Sequence, residues 1–259
     1  MKNFTKKLTD LYRYPKEYDL RVGSYICHRV LLKTFGQSKV NKFLTKNILG
    51  FQNFTNILAN TKGKVLHIGA CRAEESEIYQ NAGLGVIFIE ANPALEEDLK
   101  TQLAGKTDMD YIIALVMNTQ GQKVRFNIGE NIESSSVLDF SKNTVALNKL
   151  WPDLDLKMIN SIELESTTVM DLIKDKRLNI KSIDHIVIDT QGTELEVLKG
   201  MPRIFLEQVS YITLEASTIE IYEGQSLYSS IKRFLAGYGF KPMWEPVAPH
   251  ADLSFKRQT

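Results

Sequence analysis

Cysteine is nearly absent from this chain, with Cys27 and Cys71 the only two. Two thiols at no metal-binding spacing build no disulfide framework. They point to a reducing compartment, so the expected location is the cytoplasm. Histidine is sparse as well. His28, His67, His185 and His250 are scattered, no two stand at a metal-ligand spacing on one helix, and no metal is expected. No apolar run approaches the roughly 20 residues needed to span a bilayer. Met1 to Asp10 is basic and polar without an apolar centre, so no secretory signal is expected. Internal repeats and low-complexity segments are missing too.

What is present is an ordinary globular composition. The chain has 259 residues, 43% of them hydrophobic, enough for one large α/β domain or a domain with an extension. Its net charge of +1 conceals an asymmetry. Residues 1–64 carry 13 Lys and Arg against 3 Asp and Glu, a net of +10. Residues 65–259 carry 19 against 28, a net of −9. A basic segment of this kind either packs on an acidic domain or a second subunit, or meets an anionic surface. The second account gives peripheral contact at the inner membrane surface. No nucleic-acid reading motif accompanies the charge, so nucleic acid is not expected as a partner. A homo-oligomer remains open.

The chain divides into a basic helical extension over 1–63 and a second domain over 64–259. Apolar residues recur at helical spacing around Tyr25 to Leu32 and Phe43 to Leu49, so residues 1–62 read as helical. From Lys64 strands and helices alternate. Strands are predicted at Lys64 to Ile68, Val86 to Glu90, Tyr111 to Met117, Ile183 to Asp189 and Tyr211 to Glu215. Lys123 to Ile128 and Ser161 to Thr167 alternate as further strands. Phe240 to Trp244 and Leu253 to Lys256 form a closing pair. Helices are predicted from Glu74 to Ala82, after Asn92-Pro93, from Thr168, from Glu194 to Gly200, and from Leu227 to Ala236. Residues 140–160 read as irregular or weakly helical around Trp151-Pro152. This pattern implies a doubly wound α/β fold, a mostly parallel sheet with helices on both faces.

The organising stretch is Val65-Leu66-His67-Ile68-Gly69-Ala70, a buried strand that turns on glycine toward a helix. Such a turn presents backbone N–H groups and the positive end of a helix dipole to one point. On the glycine alone, a tight βα turn explains the pattern equally well. Glu90 adds to it. An acid at the tip of the second strand, roughly 20 residues on, is where doubly wound folds hold the two hydroxyls of an adenosine ribose. The three-glycine dinucleotide fingerprint is absent.

Four segments carry a family resemblance: Val65 to Ala70, Ile89-Glu90-Ala91-Asn92-Pro93, Ser134-Ser135-Ser136-Val137-Leu138, and Ile183 to Gly200. The last, a strand ending in Asp189 and followed by Thr190-Gln191-Gly192-Thr193-Glu194, is the most specific. Together they resemble the FkbM-type methyltransferases, over roughly residues 64–259. The resemblance implies a Rossmann-like methyltransferase fold, with S-adenosylmethionine as cofactor. It implies transfer of a methyl group to a small-molecule, glycan or lipid-linked acceptor, most often at a hydroxyl. His67 and Gln191 depart from a pattern in which many members carry Asp and Glu.

On this resemblance the cofactor would be held by His67, Gly69, Ala70, Cys71, Glu90, Asn92, Pro93 and Asp189. Gly69 and Ala70 would lie beneath its amino-acid part, Glu90 would grip the ribose, and Asn92 and Pro93 would wall the adenine. Asp189 is the leading catalytic candidate, as base, as substrate-orienting group or as partner of the cofactor ammonium; capping the following helix is its structural alternative. Glu194 would complete a carboxylate pair with it, or serve as a first-turn helix acid. Ser135, Ser136, Gln191 and Glu215 are weaker candidates facing the acceptor, with polar turns and solvated loops as the alternatives. Tyr222 and Tyr228 are better explained by packing, and His185 by the core. Two other functions stay open: a dinucleotide-dependent oxidoreductase, which Glu90 also suits, and a non-catalytic nucleoside- or membrane-binding module.

Overall fold

The computed structural model describes residues 54–142, 157–246 and 248–258. The helical expectation for the basic segment falls outside these except over 54–62, where 54–60 are helical and Thr61-Lys62 are not. The weak helix expected around Trp151-Pro152 falls outside them too. The chain divides into two compact units, Met1–Ala59 and Asn60–Thr259. The second contains the sheets described next.

Its centre is a seven-stranded sheet of order β3-β2-β1-β7-β8-β10-β9. Strands β1 (Lys64–Ile68), β2 (Val86–Glu90), β3 (Met109–Ile113), β7 (Ile183–Ile188) and β8 (Tyr211–Ser217) run parallel. The closing pair, β9 (Phe240–Pro242) and β10 (His250–Arg257), is antiparallel, with β10 inserted against β8. The chain winds outward from β1 through β2 to β3, then returns to the other side of β1 as β7. Strand order therefore reverses between β1 and β7, which opens a crevice beyond their carboxyl ends.

The strands are rich in Ile, Val and Leu, whose branched side chains suit a sheet buried on both faces. Leu66, Ile68, Ile186, Ile188, Ile212 and Leu214 join one apolar core. Helices α4 (Glu194–Lys199), α5 (Arg203–Gln208) and α6 (Tyr228–Ala236) add Leu195, Leu198, Phe205, Ile231 and Leu235 to it. Each such side chain taken fully out of water stabilises the fold by about 1.5–3 kcal/mol. Earlier in the chain lie helix α2 (Glu96–Leu103) and helix α3 (Val169–Lys174), the latter capped by Thr168, which accepts the Asp171 N–H at 3.0 Å.

Two sequence expectations are corrected. The apolar run Tyr111 to Met117 is not one strand. It pairs with β2 only as far as Ile113, and Leu115–Val116 then leaves as β4 to pair with Ser166-Thr167. There it joins β5 (Lys123–Gly129) and β6 (Met158–Thr167) in a second, three-stranded sheet. A continuous apolar run carries no mark of where a strand changes partners. The helix predicted from Glu74 begins instead at Ser76, as α1 (Ser76–Asn81). A left-handed turn through Cys71 (φ 47°) and Ala73 (φ 51°) leads from β1 toward it.

Candidate active site

The tips of β1, β2 and β7 lie level, because Ile68 pairs with both Ile89 and Ile188. Just beyond, Gly69 takes φ +87°, and a Cβ there would stand 1.8 Å from the Asp189 carbonyl oxygen. Glycine is thus what lets the two strand ends touch. The N–H groups of Gly69 and Ala70 donate to the Ile89 carbonyl at 2.8 and 3.1 Å, and that of Asp189 donates to the Ile68 carbonyl at 2.9 Å. The expectation of free N–H groups at Gly69-Ala70 is corrected by these bonds. Pairing of the strand tips already uses those donors, and the helix dipole begins a turn later.

That turn has another result. It aims the Cys71 N–H at Glu90 Oε2, 2.8 Å away, while the Asn92 N–H donates to Oε1 at 2.7 Å. The Glu90 carboxylate is fixed at both oxygens. Burial pushes its carboxyl up to about 7, against the three backbone N–H groups that favour the charge. The Asn92 side chain accepts the Ala94 N–H at 3.1 Å and caps the short turn Pro93–Leu95. Asn92 therefore holds Glu90 in place through its backbone N–H, Pro93 opens the turn that Asn92 caps, and at this strand tip Glu90 and Ala91 line the cleft.

Glu90, Gly69 and Asp189 share one cleft. Ile89, Val116, Phe126 and Val137 give it an apolar wall, and Ser135, Thr190 and Thr193 add hydroxyls. The sequence reading missed Val116 and Phe126 because they come from the second sheet, whose placement over the crevice no periodicity records.

In the same cleft Asp189 meets a polar chain. Gln191, in the left-handed region at φ 55°, donates from Nε2 to Asp189 Oδ1 at 2.5 Å and to Glu215 Oε2 at 2.7 Å. The Tyr222 hydroxyl donates to Gln191 Oε1 at 2.6 Å. His250 Nε2 lies 2.7 Å from Glu215 Oε1, and Ser217 Oγ lies 2.7 Å from His250 Nδ1. The tautomer that satisfies both bonds carries its proton on Nε2. Burial, and next the charge of Glu215, raise the Asp189 carboxyl well above its usual range. Glu215 is raised likewise, by burial and then by Asp252, its cross-strand partner. Burial lowers His250, which favours neutral imidazole.

The expected pair of Asp189 with Glu194 is corrected: Asp189 is joined to Glu215 through Gln191. Glu194 is buried, and its Oε1 accepts the N–H groups of Gly192 at 3.0 Å and Thr190 at 3.1 Å. It fastens the turn that carries Gln191. Asp189 caps no helix, since α4 starts after Thr193. Ser136 is also a fastener, donating from Oγ to the Gln191 carbonyl at 2.8 Å.

His67 is corrected as a cofactor ligand. It lies in the core between Phe88 and Tyr79, with ring centroids 5.6 and 6.0 Å away. Its Nδ1 is 3.2 Å from the Tyr79 hydroxyl, and burial lowers it to about 4. Cys71 contributes its backbone; burial and the neighbouring Glu90 push its thiol up to about 12, leaving it unreactive near neutral pH. His185 is structural as expected, its Nε2 2.9 Å from Thr213 Oγ1 inside the sheet. The Tyr228 hydroxyl donates to Glu245. His250 was missed. Its one signal is the alternation of His250, Asp252 and Ser254 with apolar Leu253 and Phe255 on the last strand. Among the described residues no His, Cys, Asp and Glu cluster is arranged for a metal ion, and no helix is long and apolar enough to cross a membrane.

No curated protein matches in sequence. Among solved structures the chain is similar to a TehB-like SAM-dependent methyltransferase from Corynebacterium glutamicum, at 8% identity and TM-score 0.39, covering 76% of this chain and 81% of that one. It is similar to precorrin-6y C5,15-methyltransferase from Geobacter metallireducens, at 12% identity and TM-score 0.42, covering 80% and 88%. It is also similar to magnesium protoporphyrin IX methyltransferase from Synechocystis with bound SAH, at 11% identity and TM-score 0.41, covering 93% and 97%. Residues 56–242 match the family described as the methyltransferase FkbM domain. The chain therefore belongs to the FkbM methyltransferase domain family, as an enzyme whose cofactor is S-adenosylmethionine.

Proposed function

We propose that this enzyme methylates a hydroxyl group, with Glu90 holding the cofactor ribose and Asp189 receiving the acceptor's proton. The observation that carries the reading is one cleft lined by both a doubly anchored Glu90 and Asp189. A carboxylate held in place by backbone N–H groups suits ribose hydroxyls as hydrogen-bond donors to it, and the apolar wall of Val116 and Phe126 suits an adenine ring.

Bound S-adenosylmethionine supplies an electrophilic methyl carbon on a positively charged sulfur. The chain's part is to place a nucleophile in line with that carbon and to take up its proton. An ionised Asp189 accepts hydrogen bonds and donates none, so it selects an acceptor that presents a donor, as a hydroxyl does. Its raised pKa makes it a stronger base than a solvated aspartate. As the methyl group is transferred to the acceptor oxygen, Asp189 would take up the hydroxyl proton. Sugars, glycolipid head groups and small hydroxylated metabolites all meet this requirement.

Calorimetry with S-adenosylmethionine, S-adenosylhomocysteine and NAD tests the cofactor half of the reading. Binding of the first two and not the third is expected; preference for NAD would overturn it. Incubating the enzyme with cell extract and S-adenosylmethionine, then searching by mass spectrometry for a gain of one methyl, identifies the acceptor. A product methylated on nitrogen or carbon would refute the hydroxyl assignment.

A further inference from the structure

Gln191 is the junction of three parts of the site. Its amide nitrogen reaches Asp189 and Glu215, its amide oxygen receives the Tyr222 hydroxyl, and its backbone carbonyl receives Ser136 Oγ. Tyr222 also donates to the Ser134 carbonyl at 3.2 Å, in the loop whose Ser135 and Val137 line the cleft. We infer that Gln191 is a positioning residue for methyl transfer: its carboxamide, oriented by Tyr222, clamps the Asp189 and Glu215 carboxylates together and aims Asp189 into the cleft.

The orientation is forced by chemistry. With its oxygen turned toward the carboxylates, the amide would set three acceptors against one another. With its nitrogen there, each of its two N–H groups meets one carboxylate, and the oxygen meets a phenol proton. A hydrogen bond to the ionised form of a carboxyl favours that form. The amide thus opposes the burial and mutual repulsion that push both groups toward protonation. It keeps Asp189 available as an acceptor for a proton. His250 continues the chain on the far side of Glu215, backed by Ser217. Other titratable groups acting on the pair are Glu194 from α4, Asp252 from β10 and Tyr222. The two carboxyls also act on each other directly, through a side-chain hydrogen bond and their charges; none of the other groups meets both, whereas the Gln191 amide does.

The inference rests on the hydroxyl-methylation reading, and its test is run without nucleoside or acceptor so that the two can fail separately. The full chain is labelled with carbon-13 at Asp and Glu carboxyls and titrated by NMR, with Asp189→Asn and Glu215→Gln spectra assigning the signals. Gln191→Met keeps the length of the side chain and removes its hydrogen bonds. It is expected to raise the Asp189 and Glu215 midpoints by about 1–2 units, the worth of one charge-assisted hydrogen bond. Tyr222→Phe frees the amide to turn and is expected to move both midpoints the same way by less. Midpoints unchanged in Gln191→Met overturn the clamp. If that variant does not fold, unchanged midpoints in Tyr222→Phe overturn it. Calorimetry with S-adenosylmethionine on the same unmodified sample separates the readings. A clamp that titrates as expected in a protein that binds no S-adenosylmethionine has no role in methyl transfer.

Discussion

The Cys71 backbone N–H donates to Glu90 Oε2 at 2.8 Å, which ties the turn after the first strand to the acid at the tip of the second. The bond joins the two segments that the sequence marks most clearly, and it favours the charged form of a Glu90 whose carboxyl burial nevertheless pushes up to about 7. A protonated Glu90 offers fewer lone pairs to a ribose than an ionised one. S-adenosylmethionine affinity is therefore expected to rise about tenfold from pH 6 to pH 8, with proton release on binding near pH 7. Calorimetry in buffers of different ionisation enthalpy reads both effects. Glu90→Gln should flatten the pH dependence, and Glu90→Ala should weaken binding about ten- to a hundredfold at pH 8, from the loss of charged hydrogen bonds worth about 1.5–3 kcal/mol. Parallel pH profiles for the unmodified protein and Glu90→Gln would remove Glu90 from the binding equilibrium.

Gly69→Ala is expected to be among the most damaging single-methyl additions in the chain. The new Cβ would meet the Asp189 carbonyl oxygen at 1.8 Å, with φ at +87°. Neither atom belongs to a flexible side chain, so the β1 and β7 tips must separate and lose their cross-strand bonds. The expected loss is about 3 kcal/mol or more, seen as a lower urea midpoint or failure to fold. Gly83 also has positive φ, at +70°, but a Cβ there meets nothing within 4 Å. Gly83→Ala should cost only about 1 kcal/mol. Equal losses at the two positions would show that close approach at Gly69 is not what its glycine provides.

His67 gives a stability signature at low pH. Its folded-state pKa, about 4, lies below its ordinary value of 6.5 because burial penalises the charged ring. Between those values the unfolded chain binds the proton and the folded chain does not. The His67 contribution is therefore intact above pH 6.5 and is lost as pH falls toward 4, by up to about 3 kcal/mol. His67→Phe keeps a ring against Phe88 and removes the titration. Relative to the unmodified protein it should gain stability steadily as pH is lowered through this window, by chemical denaturation at each pH. A constant difference from pH 7 to pH 4 would place the proton uptake elsewhere.

The parts of this molecule that were legible in the sequence are those that repeat locally. Val65 to Ile68, Val86 to Glu90 and Ile183 to Ile188 are short apolar runs closed by Gly69, Glu90 and Asp189, and each is a central strand ending at the cleft. Capping at Thr168 could be read because a hydroxyl and an N–H three residues on make a local bond. The illegible parts depend on partners distant in the chain. That Asp189 pairs with Glu215 and not with nearby Glu194 follows from the β7–β8 register and from Gln191 turning back at positive φ. That Gly69 and Ala70 have no free N–H follows from their bonds to Ile89. His67 carries the same chemistry in a core as in a site, and only its packing against Tyr79 and Phe88 separates the two.

Asp189 and Glu194 lie five residues apart, both with raised pKa, yet their hydrogen bonds assign them different work. Asp189 has one oxygen bound by Gln191 and lines the cleft, whereas Glu194 accepts the N–H groups of Thr190 and Gly192. Asp189→Asn keeps the shape and removes the charge and the proton affinity. It is expected to leave the melting temperature nearly unchanged, retain cofactor binding, and slow methyl transfer by about 10²–10⁴-fold, the usual worth of a positioned base. Glu194→Gln keeps an amide oxygen able to accept the same two N–H groups. It should cost stability by about 1 kcal/mol and change the rate less than about tenfold. Transfer of radiolabelled methyl from S-adenosylmethionine into extract compounds compares the variants before the acceptor is known. Equal rate losses in both variants would mean that Asp189 acts through the same turn as Glu194. A rate loss confined to Asp189→Asn would make it the group that takes the proton.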